Sequence, residues 1–137
     1  MRKMIYADNA ATTKIAPAVL DAMMPYLTEE YGNASSLYEH GSRAKQGVEK
    51  ARQQVADALG ADSKEIFFTS GGSEADNWAI RGAAALGAKK GKKHIISSKF
   101  EHHAVLHTLD KLAKEGFEIQ LLDVYSDGIV KVEDVKN

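Results

Sequence analysis

Apolar positions along the chain follow two spacings, one typical of helices and one typical of short buried strands. Helical spacing predicts helices over 17–31, 39–59, 73–88 and 102–114. Short runs rich in β-branched and aromatic residues, bounded by turn residues, predict strands at 66–69, 94–97, 117–124 and 129–132. Because these strands alternate with helices, we expect right-handed crossovers and a parallel sheet of about three or four strands, which is the α/β fold class.

The charges of the 137-residue chain nearly cancel, since it has 18 lysines and arginines against 19 aspartates and glutamates. Nucleic-acid binding through phosphate contacts normally requires a basic excess, so we expect no nucleic-acid partner. No stretch approaches the roughly 18 to 20 apolar residues of a membrane span, and no secretion signal is present, so we expect no membrane association and a cytoplasmic location. The sequence contains no cysteine, which excludes disulfides, thiolate metal sites and a cysteine nucleophile within it.

A glycine-containing turn lies between the apolar run at 66–69 and the helix that follows. Its residues, Ser70, Gly71, Gly72 and Ser73, place free backbone N–H groups at a helix N-terminus, where the helix dipole favours an anion. The hydroxyls of Ser70 and Ser73 could add hydrogen bonds to a phosphate. The alternative is an ordinary strand-to-helix turn with Ser73 as the N-cap. The turn lacks a Walker lysine and the third glycine of a dinucleotide fingerprint, so neither nucleotide motif is indicated.

Histidines cluster after the strand predicted at 94–97. Glu101, His102 and His103 lie between this strand and a helix, at the carboxyl edge of the predicted sheet, where ligands of open α/β sheets bind. A histidine there can act as an acid or base, bind a metal or present a flat surface to a planar cofactor. His103 and His107 are one helical turn apart, but no carboxylate completes a metal site, and we expect none. Surface positions are preferred for His94, His103 and His107.

Four stretches together resemble the N-terminal third of the cysteine desulfurases of the NifS/IscS type, which are pyridoxal-phosphate enzymes of the class-V aminotransferase group. They are YADNAATT at 6–13, YGNASS at 31–36, EIFFTSGGSEADN at 65–77 and EHHAV at 101–105. They occur in the order found in that family. The resemblance implies a partial parallel-sheet large domain of the pyridoxal-phosphate-dependent transferase fold (fold type I), truncated. It also implies an N-terminal arm at 1–14, with 15–137 forming the N-terminal part of the cofactor-binding large domain.

The same resemblance implies roles for three residues. Gly72 and Ser73 match the turn that holds the phosphate of pyridoxal 5'-phosphate. His102 matches the histidine that stacks on the pyridine ring and helps to move protons, and we expect its side chain to point in a different direction from that of His103. Ser73 stands where threonine is commoner, but keeps the hydroxyl, and Ala34 stands where proline is usual.

The activity implied is the removal of sulfur from L-cysteine, giving L-alanine and an enzyme persulfide for iron–sulfur cluster assembly or another sulfur-transfer pathway. The implied partners are a sulfur-acceptor or scaffold protein and, in the full-length enzyme, a second copy in a homodimer. Family members are about three times longer, and their cofactor-bound lysine and persulfide-forming cysteine match nothing here. We therefore expect a fragment that is inactive alone. The alternatives are another class-V enzyme, such as a selenocysteine lyase or a small-amino-acid aminotransferase, and a non-catalytic phosphate-binding or scaffold fragment.

Overall fold

The structure, a computed structural model, describes residues 4–136 and divides into two compact units, with the boundary between Phe67 and Phe68. The first unit contains α1 (Pro17–Thr28), α2 (Glu39–Leu59) and a single 3₁₀ turn at Ser63–Glu65. The second unit contains α3 (Gly72–Ala88), β1 (His94–Ser98), α4 (His103–Lys114), β2 (Glu118–Leu122) and α5 (Val132–Lys136). The predicted order of helices is confirmed in both units.

The N-terminal segment and α2 define the first unit. Ahead of α1 the chain is irregular, with one turn in which the Ala11 amide donates to the Asp8 carbonyl at 3.2 Å. The arm proposed at 1–14 stays a prediction, and residues 1–3 lie outside the described part, as does residue 137. Helix α2 ends at Gly60, whose φ of 67° is left-handed and suits glycine at a helix C-terminus.

The second unit is a β-α-β crossover with two further helices, α3 and α5. Strands β1 and β2 are parallel and in register from the pair His94 and Glu118 to the pair Ser98 and Leu122. Helix α4 connects them and packs against α3 and β2. Its inner face supplies Leu109 and Leu112, which are among the most buried side chains of the unit. The α/β class and the parallel pairing predicted from the sequence are therefore confirmed.

Two of the predicted strands are wrong. The run at 66–69 begins with extended backbone, φ −95° and ψ 123° at Ile66, but forms no ladder with any described strand. Residues 129–132 form no strand either, because the Ile129 carbonyl accepts from the Tyr125 amide and closes a turn. A strand is defined by ladder hydrogen bonds to a neighbour, and β1 and β2 offer none to these segments. The sheet within residues 4–136 has two strands instead of three or four.

Three large aromatic residues, of a kind usually found in a core, are exposed. Phe67, Phe68 and Trp78 keep 64%, 52% and 55% of their surface accessible. The β-prone pattern around the two phenylalanines suits a strand covered on both faces, and a two-stranded sheet does not provide that cover. The buried apolar side chains of the second unit are instead Ala84 and Ala104, together with Leu109 and Leu112 of α4.

Candidate functional site

The N-terminus of α3 carries the first candidate site. Gly71 is the N-cap, with extended backbone that any residue can adopt, and Gly72 is the first helical residue. The alternative in which Ser73 is the N-cap is therefore wrong, because Ser73 is the second residue of the helix. The Thr69 hydroxyl donates to the Gly71 carbonyl at 3.1 Å and helps to fix the approach to the helix.

The first amides of α3 are available to a ligand. The Ala75 amide donates a hydrogen bond to the carbonyl of the N-cap residue Gly71, at 3.2 Å. Within residues 4–136, the amides of Gly72 and Ser73 have no acceptor, as expected for the first residues of a helix. A methyl group built on Gly72 would meet no atom within 4 Å other than those of the adjoining residues and the helix's own backbone, so the space beside the Gly72 Cα is open. These donors and the helix dipole fit a phosphate group.

The Ser70 hydroxyl does not take the role expected of it. The amide and the hydroxyl of Ser70 both donate to Oε2 of Glu74, at 2.6 and 2.7 Å. These two bonds hold the pKa of the Glu74 carboxyl below its ordinary value, the backbone bond having the larger effect. Of the two hydroxyls expected to face an anion, only that of Ser73 is without an acceptor in the described structure.

The second candidate site is the start of α4. His102 is the N-cap of this helix, and its Nδ1 accepts a hydrogen bond from the Ala104 amide at 3.1 Å. Nδ1 therefore carries no proton, and the neutral ring holds its proton on Nε2, where it can donate to a ligand. The backbone of α4 thus fixes both the orientation and the tautomer of an exposed imidazole.

The three histidines around this position lie together. The rings of His102 and His103 are 3.8 Å apart between centroids and tilted by 38°, so the expectation that the two side chains diverge is wrong. His103 adopts this direction while also standing 5.7 Å from the His107 ring, one turn along α4. His102 is distinguished from its neighbour by the capping bond, which His103 does not make.

The loop between β1 and α4 is held by short polar contacts. The Ser98 hydroxyl donates to Oε1 of Glu101 at 3.1 Å, one residue before His102. Nζ of Lys99 lies 2.7 Å from Oδ1 of Asp123, joining the chain segments that leave β1 and β2. This ion pair is exposed and contributes little stability, but it places a cation and a carboxylate at the carboxyl edge of the sheet.

One interhelical hydrogen bond connects the two candidate sites. The buried Thr108 hydroxyl on α4 lies 2.7 Å from Oδ1 of Asn77 on α3. The side-chain amide of Asn77 in turn donates to the Ser73 carbonyl at 2.8 Å. Neither residue has a role predicted from the sequence, although Asn77 ends the matched stretch at 65–77. The signal for Thr108 was its position between Ala104 and Leu112 on the apolar stripe of α4, where a polar residue needs a partner.

The structure thus brings Gly72, Ser73 and His102 into one unit. Gly72 and Ser73 offer amide donors for a phosphate, and His102 offers an oriented ring face, so the residues present fit pyridoxal 5'-phosphate. Among residues 4–136 there is no group of three or more histidines and carboxylates arranged to hold a metal ion. Over the same part of the chain, no helix combines the length and the apolar character needed to cross a membrane.

Comparison with known proteins gives consistent matches over the whole chain. The sequence profile of the family described as aminotransferase class-V matches residues 5–137. Cysteine desulfurase IscS of Clostridium botulinum strain Hall is 54% identical over 137 residues, which are 100% of this chain and 34% of that relative. A solved structure titled NIFS-like protein has a TM-score of 0.88 at 40% identity, over 94% of this chain and 35% of that one. The structure titled SspA in complex with cysteine has a TM-score of 0.86 at 36% identity, over 96% and 38%.

These likenesses confirm the fold expected from the sequence. The structural neighbours have the pyridoxal-phosphate fold type I, and the chain is an α/β part of that fold with a small parallel sheet. The chain spans about a third of the length of the curated relatives that it matches. Because the family profile covers almost every residue, this chain belongs to the aminotransferase class-V family.

Proposed function

We propose that this chain supplies the phosphate-binding turn and the ring-binding histidine of a pyridoxal-phosphate-dependent cysteine desulfurase. The observation that carries the proposal is the hydrogen bond between Thr108 and Asn77, which ties together the two helices whose N-termini bear Ser73 and His102. A ligand with a phosphate at one end and a planar ring at the other has matching groups at both helix starts.

Each residue has a distinct part in this proposal. The amides of Gly72 and Ser73, with the Ser73 hydroxyl, hold the phosphate and position the cofactor. The His102 ring lies against the pyridine ring and, with its proton on Nε2, holds a proton that it can donate. Bound pyridoxal phosphate supplies an electron sink for bonds to the substrate's α-carbon. The sequence has no cysteine, so the thiol that accepts sulfur belongs to another segment or chain.

The names of the relatives support L-cysteine as the substrate. The curated relative is a cysteine desulfurase, and one structural neighbour is titled as a complex with cysteine. We propose the same substrate here, with L-alanine and a persulfide as products, and a sulfur-acceptor or scaffold protein as the next partner. A homodimeric, cytoplasmic enzyme is part of the same proposal.

Cofactor binding by the chain itself tests the proposal. A ¹⁵N-labelled sample is titrated with pyridoxal 5'-phosphate and, in parallel, with pyridoxal, which lacks the phosphate. We expect the amide signals of Gly72 and Ser73 to shift with the phosphorylated compound and to stay in place with pyridoxal. Equal shifts with both compounds, or shifts confined to lysine-rich segments such as 89–93, would contradict the assignment of the phosphate turn.

A further inference from the structure

Thr108 is an unusual residue for the place it occupies. It is 4% exposed on the inner face of α4, among side chains that are otherwise apolar. Its hydroxyl lies 2.8 Å from the Ala104 carbonyl of its own helix and 2.7 Å from Oδ1 of Asn77 on α3. A hydroxyl has one proton, so it donates to one of these oxygens at a time or shares the proton between them. The bond within α4 would satisfy Thr108 alone, so the approach of Asn77 is an additional, interhelical contact.

Asn77 is held in the matching orientation. Its side-chain NH₂ group donates to the Ser73 carbonyl at 2.8 Å, which leaves Oδ1 to face Thr108. The reversed amide would place its oxygen against the Ser73 carbonyl oxygen, where neither atom can donate. The hydrogen-bond pattern of Ser73 therefore selects the orientation of Asn77 that accepts from Thr108.

The contacts form a continuous route between the two candidate sites. It runs from the Ser73 carbonyl through Asn77 and Thr108 to the Ala104 carbonyl, and the amide of the same residue, Ala104, is the group that His102 caps. Asn77 and Thr108 each lie five residues after the first residue of their helix. At a rise of 1.5 Å per residue, this is about 7.5 Å from the helix start. The bond is thus made close to both N-termini.

Apolar packing alone would restrict the separation between α3 and α4 less closely. The contact between α3 and α4 uses small and aliphatic side chains such as Ala84 and Leu109, whose attraction has no preferred direction. A hydrogen bond of 2.7 Å restricts both distance and angle. A hydrogen bond between the buried Thr108 and the half-buried Asn77, at one point of an otherwise apolar contact, favours one register of the two helices.

We propose that Thr108 is a positioning residue, whose bond to Asn77 sets the separation between the Gly72–Ser73 amides and the His102 ring. The inference rests on the proposed function and deepens it: a ligand that carries both a phosphate and an aromatic ring senses the separation, whereas a phosphate alone does not. Thr108 touches neither ligand group and acts through the two helices.

The test compares two probes on the same variants of the chain, with amide shifts and dissociation constants measured by NMR. Thr108→Val keeps the shape of the side chain and removes the hydroxyl. We expect it to weaken binding of pyridoxal 5'-phosphate by about fivefold to tenfold, the usual weight of one hydrogen bond, and to leave binding of inorganic phosphate within about twofold. Thr108→Ser restores the hydroxyl and should restore affinity for pyridoxal 5'-phosphate.

A matched control and a second variant keep the test decisive. Thr28 on α1 also donates its hydroxyl to the carbonyl four residues earlier, at 2.8 Å, but within residues 4–136 it has no hydrogen-bond partner on another helix, so Thr28→Val should change neither affinity. If Thr108→Val does not fold, Asn77→Ala removes the same bond from α3 while Thr108 keeps its bond to Ala104. It should reproduce the selective loss for pyridoxal 5'-phosphate.

The outcomes separate the inference from the proposed function. Wild-type affinity for pyridoxal 5'-phosphate in both Thr108→Val and Asn77→Ala would overturn the inference alone. So would equal weakening for both probes, since that would show damage to the turn itself. If the unmodified chain shows no shift at Gly72 and Ser73 with either probe, the proposed function fails and the inference fails with it.

Discussion

The carboxylate of Glu74 reaches back over the first turn of α3 and accepts from both the amide and the hydroxyl of Ser70, at 2.6 and 2.7 Å. Gly71, the N-cap, has no side chain with which to cap the helix, and Glu74 secures the residue before it instead. The consequence is a fixed turn in which Ser70 is occupied while the next amides, those of Gly72 and Ser73, remain available.

This contact predicts a specific pH response of the turn. Because the folded-state pKa of Glu74 is lowered, its stabilising contribution is fully present above the ordinary glutamate value of about 4.3 and is lost as the pH falls through the lower folded value. The Ser70 amide shift, followed by NMR, should titrate with a midpoint below about 4.3. Glu74→Gln should abolish this titration. A midpoint at or above the ordinary value would show that the two bonds do not form in solution.

Exchanging single glycines on α3 separates helix stability from phosphate binding. Gly72→Ala and Gly82→Ala both place a methyl group where no atom lies within 4 Å other than those of the adjoining residues and the helix's own backbone, so both variants should fold. Gly82→Ala should raise the free energy of unfolding by about 1 kcal/mol, since alanine favours the helix, and leave ligand binding unchanged. Gly72→Ala should weaken binding of pyridoxal 5'-phosphate by about tenfold, because its methyl group occupies the open space beside the phosphate-binding amides.

Thermal unfolding and ligand titration measure these two effects. Equal binding by the two glycine variants would contradict the placement of the phosphate on Gly72. A loss of binding in Gly82→Ala would show that the effect arises from the helix as a whole.

The two roles given to His102 can be separated by substitution. His102→Asn keeps a side-chain acceptor for the Ala104 amide, so the stability of α4 should be nearly unchanged, whereas His102→Ala should cost about 1 kcal/mol. Both substitutions remove the imidazole and should weaken binding of pyridoxal 5'-phosphate to a similar extent. His103→Ala should have a much smaller effect on binding. Chemical denaturation measures the stability of the variants, and cofactor titration measures their affinity for pyridoxal 5'-phosphate. Equal losses of affinity in His102→Ala and His103→Ala would contradict the assignment of ring binding to His102.

The chain by itself should not release sulfide from L-cysteine. It has no cysteine to accept the sulfur, and none of its lysines lies in the family's motif for covalent attachment of the cofactor. Purified chain mixed with pyridoxal 5'-phosphate and L-cysteine should give no more sulfide than free cofactor does. Sulfide above that level, or a lysine of this chain trapped specifically by borohydride, would show that these 137 residues hold a complete reaction centre.

The sequence predicted the elements whose signals are local. Helix α2 shows a sustained 3.6-residue period and ends at a glycine, and its bounds agree with the prediction. The run at 66–69 has an equally clear strand composition, but a strand also needs a neighbour, and its composition does not reveal whether one is present. Local pattern is therefore sufficient for helices and insufficient for strands in this chain.

The candidate site also combines features that have a local sequence signal with contacts that have none. The turn at 70–73 and the histidines at 102–103 are visible as local patterns, and the resemblance to the cysteine desulfurases selected Gly72, Ser73 and His102 among them, whose roles stay a prediction. The bond between Thr108 and Asn77 joins residues 31 positions apart, and no local rule pairs them. The contact of Glu74 with Ser70 is likewise not predicted by the sequence, because a carboxylate beside an expected anion site would by itself repel the anion.

The most direct test of the central claim, that Gly72, Ser73 and His102 form one cofactor site, is a crystal structure of the chain with pyridoxal 5'-phosphate. We predict phosphate oxygens at hydrogen-bonding distance, about 2.7–3.2 Å, from the amides of Gly72 and Ser73, with the pyridine ring lying on the His102 imidazole. A cofactor whose phosphate lies elsewhere, for example on Lys99, or whose ring lies away from His102, would contradict the claim.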